Sequence, residues 1–343
     1  MEKRMSVKEL RRIFEAAWLA AGYEILPSEP LVHPLFRGFN PSAGEGRAKE
    51  SLEIDGDFRQ AVHAIALREY DRGGKWPHSA LFEMAACFVR PVSDLVAEMA
   101  VNIEVLKSLG VWPLWAKVWS GGQKGDYYIA PDHEANAALQ ELGVELVWDE
   151  SDETLLWWGR STLADTIPVL APRAEIYFGD VEVAMFEQVQ LRINPDGNLE
   201  KFRPMLAMGV GLDRLVGILE GHRPGLDDLA SELAKYGVEK VDALRAIDAL
   251  RAIMLTMAEG ALPGGSRHEN RARTLRSFFR DLLRIELRYP SLDWDIIYRE
   301  FGERLREHFA GVHKVGTSEF FEVLPHEREL AQKLARKTGR KGG

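Results

Sequence analysis

The chain has little cysteine and no long apolar run. Its 343 residues include one cysteine, Cys87, which excludes a disulfide within the chain. No N-terminal apolar segment is followed by a small-residue cleavage site, so no secretion signal is predicted. The most apolar helical stretch, residues 243–258, is interrupted by Arg245, Asp248 and Arg251 and is not expected to span a membrane. Together these absences predict a cytoplasmic protein without a membrane role.

Two kinds of chemistry also lack their sequence signals. One cysteine and scattered histidines give no zinc-ligand spacing, and no GxSxG segment is present to carry a serine nucleophile. The formal net charge of −9 argues against a surface that is basic throughout. A local basic face can still bind RNA within an acidic protein.

The composition is that of a folded protein. Apolar residues make up 46% of the chain and charged residues 28%, and nine tryptophans with fifteen phenylalanines argue against disorder. Helical periodicity at residues 6–22 and 92–109 is followed by β-branched and aromatic segments between residues 114 and 211, separated by glycine, proline or aspartate. These segments predict a mostly antiparallel sheet flanked by helices.

The hairpin signal is strongest at residues 194–198, where an Asp-Gly pair joins two strand-like segments. From Leu212 onward the pattern is helical. We therefore predict an α+β fold with a catalytic domain at 1–222 and a helical domain at 223–343, divided near Pro224 and Gly225.

Four short stretches carry a resemblance to a known family. They are LREYDRGGK with HSALFEMAACF, then PRAEIYFGD, then EVAMFEQVQLRINPDGNLEKF, then MGVGLDRLVGILEG. In this order they resemble the catalytic core of alanyl-tRNA synthetases, which belong to the class II aminoacyl-tRNA synthetases. The resemblance implies a class II fold that uses ATP and Mg²⁺ to activate an amino acid and transfers it to tRNA.

Activation of a carboxylic acid by ATP needs positive charge at the α-phosphate and on the departing pyrophosphate. The planar fork of arginine suits this role. Arg68 matches the arginine of the second class II motif, with Arg72 as a competing choice, and Arg214 matches the arginine of the third motif. The resemblance therefore implies that Arg68 and Arg214 are catalytic.

Other positions in the same motifs are expected to hold the nucleotide. Gly209 and Gly211 would let the backbone approach it closely. Phe82 is a candidate for stacking on adenine, and Glu83 is a second candidate beside it.

Three acidic residues are candidates for the magnesium ion. Glu175, Asp180 and Glu182 lie on adjacent strand-like segments and offer the oxygen ligands that Mg²⁺ prefers. The alternative is that they are carboxylates at the rim of the site.

The resemblance fails at positions that would contact the amino acid. The family has an aspartate two residues before the glycines of its third motif, where it holds the amino group of alanine, and this chain has Ala207 there. Met185 replaces the family's asparagine. An ammonium left unpaired in a partly buried pocket costs on the order of several kcal/mol. A substrate other than alanine is therefore expected.

Arg173 suggests what that substrate could be. It stands in place of a cysteine of the family's paired-cysteine loop. One hypothesis is that Arg173, helped by Arg90, recognises a second carboxylate, so that the substrate is an acidic or otherwise non-alanine acid. The alternative is that Arg173 points away from the site.

The segment ALPGGSRHENRARTLRSFFRDLLRI, residues 261–285, resembles the start of the family's tRNA-contacting helical domain, and a helix is predicted from Arg271 to Tyr289. Residues 267–288 contain seven arginines and only three acidic residues. An apolar stripe runs along the same predicted helix. A phosphate backbone is a natural partner of such a face. The alternative is a solvated helix paired with the acidic remainder. The RNA-binding candidates are Arg271, Arg273, Arg276, Arg280 and Arg284.

Three functions remain open at this point. The first is an aminoacyl-tRNA ligase; the second is a tRNA-independent ligase that activates a different acid; the third is a catalytically silent RNA-binding protein. Retention of Arg68 and Arg214 argues against the third, and the arginine-rich helix favours the first over the second. The sequence leaves the oligomeric state open.

Overall fold

The computed structural model describes residues 5–44, 46, 56–72, 76, 78–151, 154–158, 169–194, 196–223, 225–264 and 269–339.

Helices lie at both ends of the chain and between strands. Their bounds are α1 Val7–Ala20, α2 Leu95–Ser108, α3 His133–Glu141, α4 Leu212–Glu220, α5 Asp227–Lys235, α6 Lys240–Ala258, α7 Asn270–Arg288, α8 Trp294–His308 and α9 Thr317–Gly339. A 3-10 turn covers Glu69–Asp71.

The strands fill the middle of the chain. Their bounds are β1 Glu24–Ile25, β2 Phe58–Leu67, β3 Leu81–Arg90, β4 Trp115–Trp119, β5 Gly122–Lys124, β6 Tyr127–Ile129, β7 Glu145–Asp149, β8 Leu155–Trp158, β9 Val169–Phe178, β10 Val181–Ile193 and β11 Leu199–Gly211.

Nine of the described strands form one sheet in the order β1-β2-β3-β11-β10-β9-β4-β7, with β8 beside β9. The β1–β2 and β4–β7 pairs are parallel, whereas β3, β11, β10, β9 and β4 run antiparallel to their neighbours in that series. This architecture confirms the predicted α+β class with a mostly antiparallel sheet and a helical C-terminal region.

Local sequence signals account for several element boundaries. Helix α1 begins after a capping box, in which Ser6 accepts from the amide of Glu9 and the Glu9 carboxylate accepts from the amide of Ser6. The predicted hairpin joins β10 to β11, with Ile193 opposite Leu199 and Gly197 at a φ of 82°. A glycine suits this turn because a side chain is strained at such a positive φ.

The chain divides into two compact units. The sheet unit consists of Met1–Glu29, Ser42–Ala64 and Glu83–Leu215, and the helical unit of Pro30–Pro41, Ile65–Phe82 and Val216–Gly343. This division differs from the linear boundary expected near residue 223. Two early segments belong with the C-terminal helices because Leu31, Ile65 and Leu81 are buried in the same apolar core as α6 and α7.

The core of the helical unit follows the predicted stripe of α7. Leu275, Phe278, Phe279, Leu282 and Leu283 are all buried, as the helical spacing requires. Among the described residues, no helix combines the length and the low polarity that crossing a bilayer demands.

Candidate active site

One face of the sheet unit gathers many of the predicted site residues. Directly opposite residues of antiparallel strands point to the same face. Arg173 on β9 lies opposite Glu187 on β10, which lies opposite Ala207 on β11. The next row along the strands contains Lys117, Glu175, Met185, Gly209 and Ala86 in order across β4, β9, β10, β11 and β3. We call these two rows the polar face.

A partly buried ion pair occupies the first row. The Nε of Arg173 donates to Oε1 of Glu187 at 2.7 Å, and an Nη of Arg173 lies 3.9 Å from Glu175. Burial lowers the pKa of Arg173, but Glu187 and then Glu175 outweigh it, so the net pKa is raised and the guanidinium stays charged. The Glu187 side chain is 6% exposed. Two carboxylates thus surround one guanidinium.

Glu175 is held at the centre of the second row. Its Oε2 accepts from the Tyr177 hydroxyl at 2.9 Å, and the Tyr177 ring stacks on Trp115 at 4.3 Å between centroids. The Lys117 ammonium lies 5.7 Å from the Tyr177 ring centroid. Burial, followed by the charge of Glu182, raises the pKa of Glu175. The polar face therefore carries two carboxylates, Glu175 and Glu187, and two cations, Arg173 and Lys117.

The floor beside these charges is made of small residues. Ala207 and Ala86 are buried, and a Cβ added at Gly209 would lie 3.4 Å from Cγ of Met185. A side chain larger than alanine at positions 86, 207 or 209 would extend outward from the polar face. Small residues at this point allow another group to approach the sheet closely.

Arg214 is fixed at the beginning of α4, directly after β11. One Nη donates to the backbone oxygen of Glu182 at 3.0 Å and to its Oε2 at 2.5 Å. Gly211 pairs with Met84 at the end of β11, and a Cβ there would contact Arg214 itself at 3.6 Å. The guanidinium is thus positioned by the beginning of β10, and the Arg214 side chain is 12% exposed.

The predicted metal ligands do not form a cluster. In the part of the chain that the structure describes, no three His, Cys, Asp or Glu side chains are placed to hold a metal ion together. Asp180 is exposed in the turn after β9, whereas Glu175 and Glu182 interact electrostatically. Two carboxylates with a triphosphate fit the usual mode of Mg²⁺ binding, in which phosphate and water oxygens complete the coordination.

Arg68 and Phe82 are brought together in the helical unit. The Cζ of Arg68 lies 5.0 Å from the centroid of the Phe82 ring, and its Nε donates to the oxygen of Pro41 at 2.9 Å. Such a cation–π contact orients the planar guanidinium. Arg68 and Arg214 belong to different compact units.

Arg72 and Glu83 have other partners than the predicted nucleotide. Arg72 pairs with Asp281 of α7 at 2.9 Å. Glu83 forms a two-point pair with Arg11 of α1, at 2.6 and 2.8 Å, and burial raises its pKa to about 6. The Glu83 pair ties α1 to β3, which is a structural role.

Arg90 contacts the beginning of β2. Its Nε donates to the oxygen of Gly56 at 3.3 Å and its Cζ lies 4.8 Å from the Phe58 ring. Arg90 is buried and holds the beginning of β2 against the end of β3.

The α7 arginines separate into two groups. Arg271 donates to the backbone oxygens of three residues between His33 and Gly38 at 2.6–2.8 Å, and Arg276 donates to the oxygen of Pro263. These two therefore have structural contacts. Arg273, Arg280 and Arg284 are exposed, and eleven residues at 1.5 Å per residue place the first and last roughly 16 Å apart along one stripe.

Sequence reasoning missed Glu187, Lys117 and Arg11. Glu187 follows Met185 by two residues on one strand and so shares its face, which was the available signal. Lys117 and Arg11 gave no signal because their positions depend on pairing with distant segments.

No protein-family model and no curated protein matches the chain. Among solved structures, two of the pyrrolysyl-tRNA synthetase from Desulfitobacterium hafniense each match 64% of this chain and 71% of their own, at 14% identity and a TM-score of 0.38. An apo histidyl-tRNA synthetase from S. aureus matches 67% of this chain and 77% of its own, at 12% identity and a TM-score of 0.37. Likeness at this level is too low to assign a reaction or a substrate.

Proposed function

We propose that this chain is an ATP-dependent ligase that activates an amino acid as an acyl-adenylate and transfers the acyl group to tRNA. The observation that carries the proposal is the polar face, where buried charges flank a floor of Ala207, Gly209 and Ala86. Arg214, held by Glu182 after the same strand, supplies a fixed cation for the nucleotide. The collinear motifs of the sequence support the same reaction.

In this reaction an oxygen of the substrate carboxylate attacks the α-phosphorus, and the bond to the departing pyrophosphate breaks. Arg214 offers a guanidinium to the charge that develops on the phosphates, and the family resemblance implies the same role for Arg68. A magnesium ion on the triphosphate would neutralise further charge, and Glu182 and Glu175 are the residues that would hold it.

The polar face favours a substrate that carries an ammonium group. Arg173 was expected to recognise a second carboxylate, but Glu187 already neutralises its guanidinium at 2.7 Å. Glu175 adds a second buried carboxylate beside the pair. A cationic group would lie favourably beside these two carboxylates, whereas another carboxylate would be repelled by them. We therefore favour an amino acid whose ammonium binds Glu187 over the hypothesis that Arg173 recognises a second carboxylate.

Transfer to tRNA is supported by the stripe of Arg273, Arg280 and Arg284 on α7. Exposed arginines in a row suit successive phosphates of one strand. The two alternatives, a ligase with another acceptor and a silent RNA-binding protein, are separate outcomes of the experiment below.

The test is pyrophosphate exchange over a panel of amino acids and of their hydroxy-acid analogues. We expect ATP-dependent exchange with one or a few amino acids and none with the matching analogues, followed by charging of total tRNA in a filter assay. Arg68→Ala and Arg214→Ala should each abolish exchange, while Arg192→Ala, which removes an arginine of an exposed pair on the β10–β11 hairpin, should not. Exchange without tRNA charging indicates another acceptor, and RNA binding without exchange indicates a silent paralogue.

A further inference from the structure

The turn that carries Arg68 is attached to helix α7. Arg68 precedes the 3-10 turn Glu69–Asp71, and its amide donates to the oxygen of Ala80 at 2.8 Å. The amide of Asp71 donates back to the oxygen of Arg68 at 3.1 Å. Arg72 follows immediately, so whatever holds Arg72 also limits the positions open to Arg68.

Arg72 is held by three side chains of α7. Its Nη1 donates to Oγ of Ser277 at 2.6 Å and to Oδ2 of Asp281 at 2.9 Å, and its Cζ lies 4.1 Å from the centroid of the Phe278 ring. Its other Nη donates to Glu69. A planar guanidinium that is stacked and paired on two sides has little rotational freedom.

Glu69 provides a second attachment. Its Oε2 accepts from the Thr274 hydroxyl at 2.9 Å, one helical turn before Ser277. Thr274, Ser277, Phe278 and Asp281 follow the spacing of a single helix face. The turn is therefore attached to that face through both Glu69 and Arg72.

These contacts also argue against Arg72 as a direct phosphate ligand. Binding phosphate would require its guanidinium to leave Asp281, Glu69 and the Phe278 ring together. Breaking a partly buried pair leaves a carboxylate without its partner, which is unfavourable.

We infer that Arg72 is a positioning residue, which fixes the Arg68 turn on α7 through Asp281, Ser277 and Phe278. The expected loss of activity with ATP rests on the proposed function, whereas the attachment of the Arg68 turn to α7 does not. If Arg68 contacts ATP, loosening the turn reduces catalysis with ATP without weakening the site for the amino acid.

A double-mutant cycle between Arg72 and Asp281 tests the kinetic consequence. Arg72→Ala and Asp281→Asn should each lower kcat/KM for ATP by about ten- to a hundredfold, with the KM for the amino acid unchanged. The double variant should have a kcat/KM for ATP no lower than that of the less active single variant, because the two substitutions remove the same Arg72–Asp281 contact. Asp281→Glu, which keeps the charge, should retain most of the activity. Glu303→Gln, at an exposed pair on α8, is the control.

A different pattern would overturn the inference. If Arg72→Ala abolishes activity while Asp281→Asn matches the wild type, Arg72 binds ATP directly and does not act through α7.

Hydrogen exchange separates this inference from the proposed function. Measured by mass spectrometry without any substrate, the peptide containing the amides of Arg68 and Asp71 should exchange faster in Arg72→Ala and Asp281→Asn than in the wild type and in Glu303→Gln. Unchanged exchange in both variants refutes the positioning role. If the wild type activates no acid, the proposed function fails, and hydrogen exchange alone decides whether Arg72 fixes the turn.

Discussion

Glu187 and Ala207 are cross-strand partners on β10 and β11, so their side chains share one face of the sheet. The family resemblance implies a carboxylate at position 207 for the substrate ammonium, and here a carboxylate stands one strand away. A distance of about 5 Å between neighbouring strands keeps it within reach of the same ligand. Glu187 therefore places a carboxylate on the same face of the sheet as the position where the resemblance implies one.

Removing that charge should weaken substrate binding. We predict that Glu187→Gln raises the KM for the amino acid about tenfold or more, since a hydrogen bond to a charged group contributes about 1.5–3 kcal/mol. The KM for ATP should change little. Steady-state pyrophosphate exchange measures both, with Glu200→Gln, in the exposed pair with Arg192, as the control. An unaltered amino-acid KM would assign Glu187 to holding Arg173 alone.

A methyl group on the floor of the polar face should obstruct the ligand more than it affects folding. The Cβ of Gly209→Ala would meet Met185 at ordinary contact distance. The free energy of unfolding should therefore change by less than about 1 kcal/mol, while the KM for the amino acid rises several-fold. Urea unfolding and exchange kinetics compare it with Gly264→Ala, where the added Cβ meets nothing within 4 Å. Wild-type kinetics in Gly209→Ala would place the ligand elsewhere.

The sheet unit should lose stability in acid through His63. Burial, followed by the charge of Arg11, lowers the pKa of His63 to about 3, although the Glu15 carboxylate lies 3.1 Å from its Nε2. In the unfolded chain, His63 binds a proton as the pH falls below its ordinary pKa of 6.5, whereas in the folded state it does so only near pH 3. The folded state therefore becomes less stable as the pH falls from 6.5 towards 3.

His63→Gln removes this proton uptake and should flatten the acid dependence of the unfolding free energy, by up to about 1.4 kcal/mol per pH unit. Urea unfolding at a series of pH values measures the slope. His133→Gln, at an exposed position, should keep the wild-type slope. Identical slopes in all three proteins would show that His63 titrates normally.

The helical unit should depend on Glu259. Its carboxylate accepts from the amides of Leu31 and Val32 at 3.0 and 2.6 Å, and from His313 at 2.5 Å. Burial opposes both charges, but the pair outweighs it, so the pKa of Glu259 is lowered and that of His313 is raised. The Glu259–His313 pair stabilises the fold fully between pH 4.5 and pH 6.5, the ordinary pKa values of the two groups. This stability is lost as the pH falls through the Glu259 pKa or rises through the His313 pKa.

Glu259→Gln should lower the free energy of unfolding by about 2–3 kcal/mol at pH 6. Calorimetry should also show a weaker dependence on pH above 6.5 than in the wild type. Glu303→Gln, which removes an exposed carboxylate, should change neither quantity.

The contacts of Arg271 and Arg173 could not be predicted from the sequence. The spacing of α7 placed Arg271 on a basic face, but its guanidinium binds backbone oxygens of the segment 33–38, which is more than 230 residues away along the chain. Arg173, helped by Arg90, was expected to recognise a substrate carboxylate, whereas its partner in the structure is Glu187, which is placed beside it by strand register. Neither contact is encoded in local periodicity.

Four features can be derived from local sequence alone: the capped α1, the hairpin at Gly197, the apolar stripe of α7 and the α+β class. These follow from interactions within a few residues, which propensity and hydrophobic spacing express directly. Only the tertiary structure decided that Glu187 faces Ala207 and that Arg72 binds Asp281. Strand register and helix packing join residues far apart in the chain, and their geometry is fixed by the whole core rather than by any segment of it.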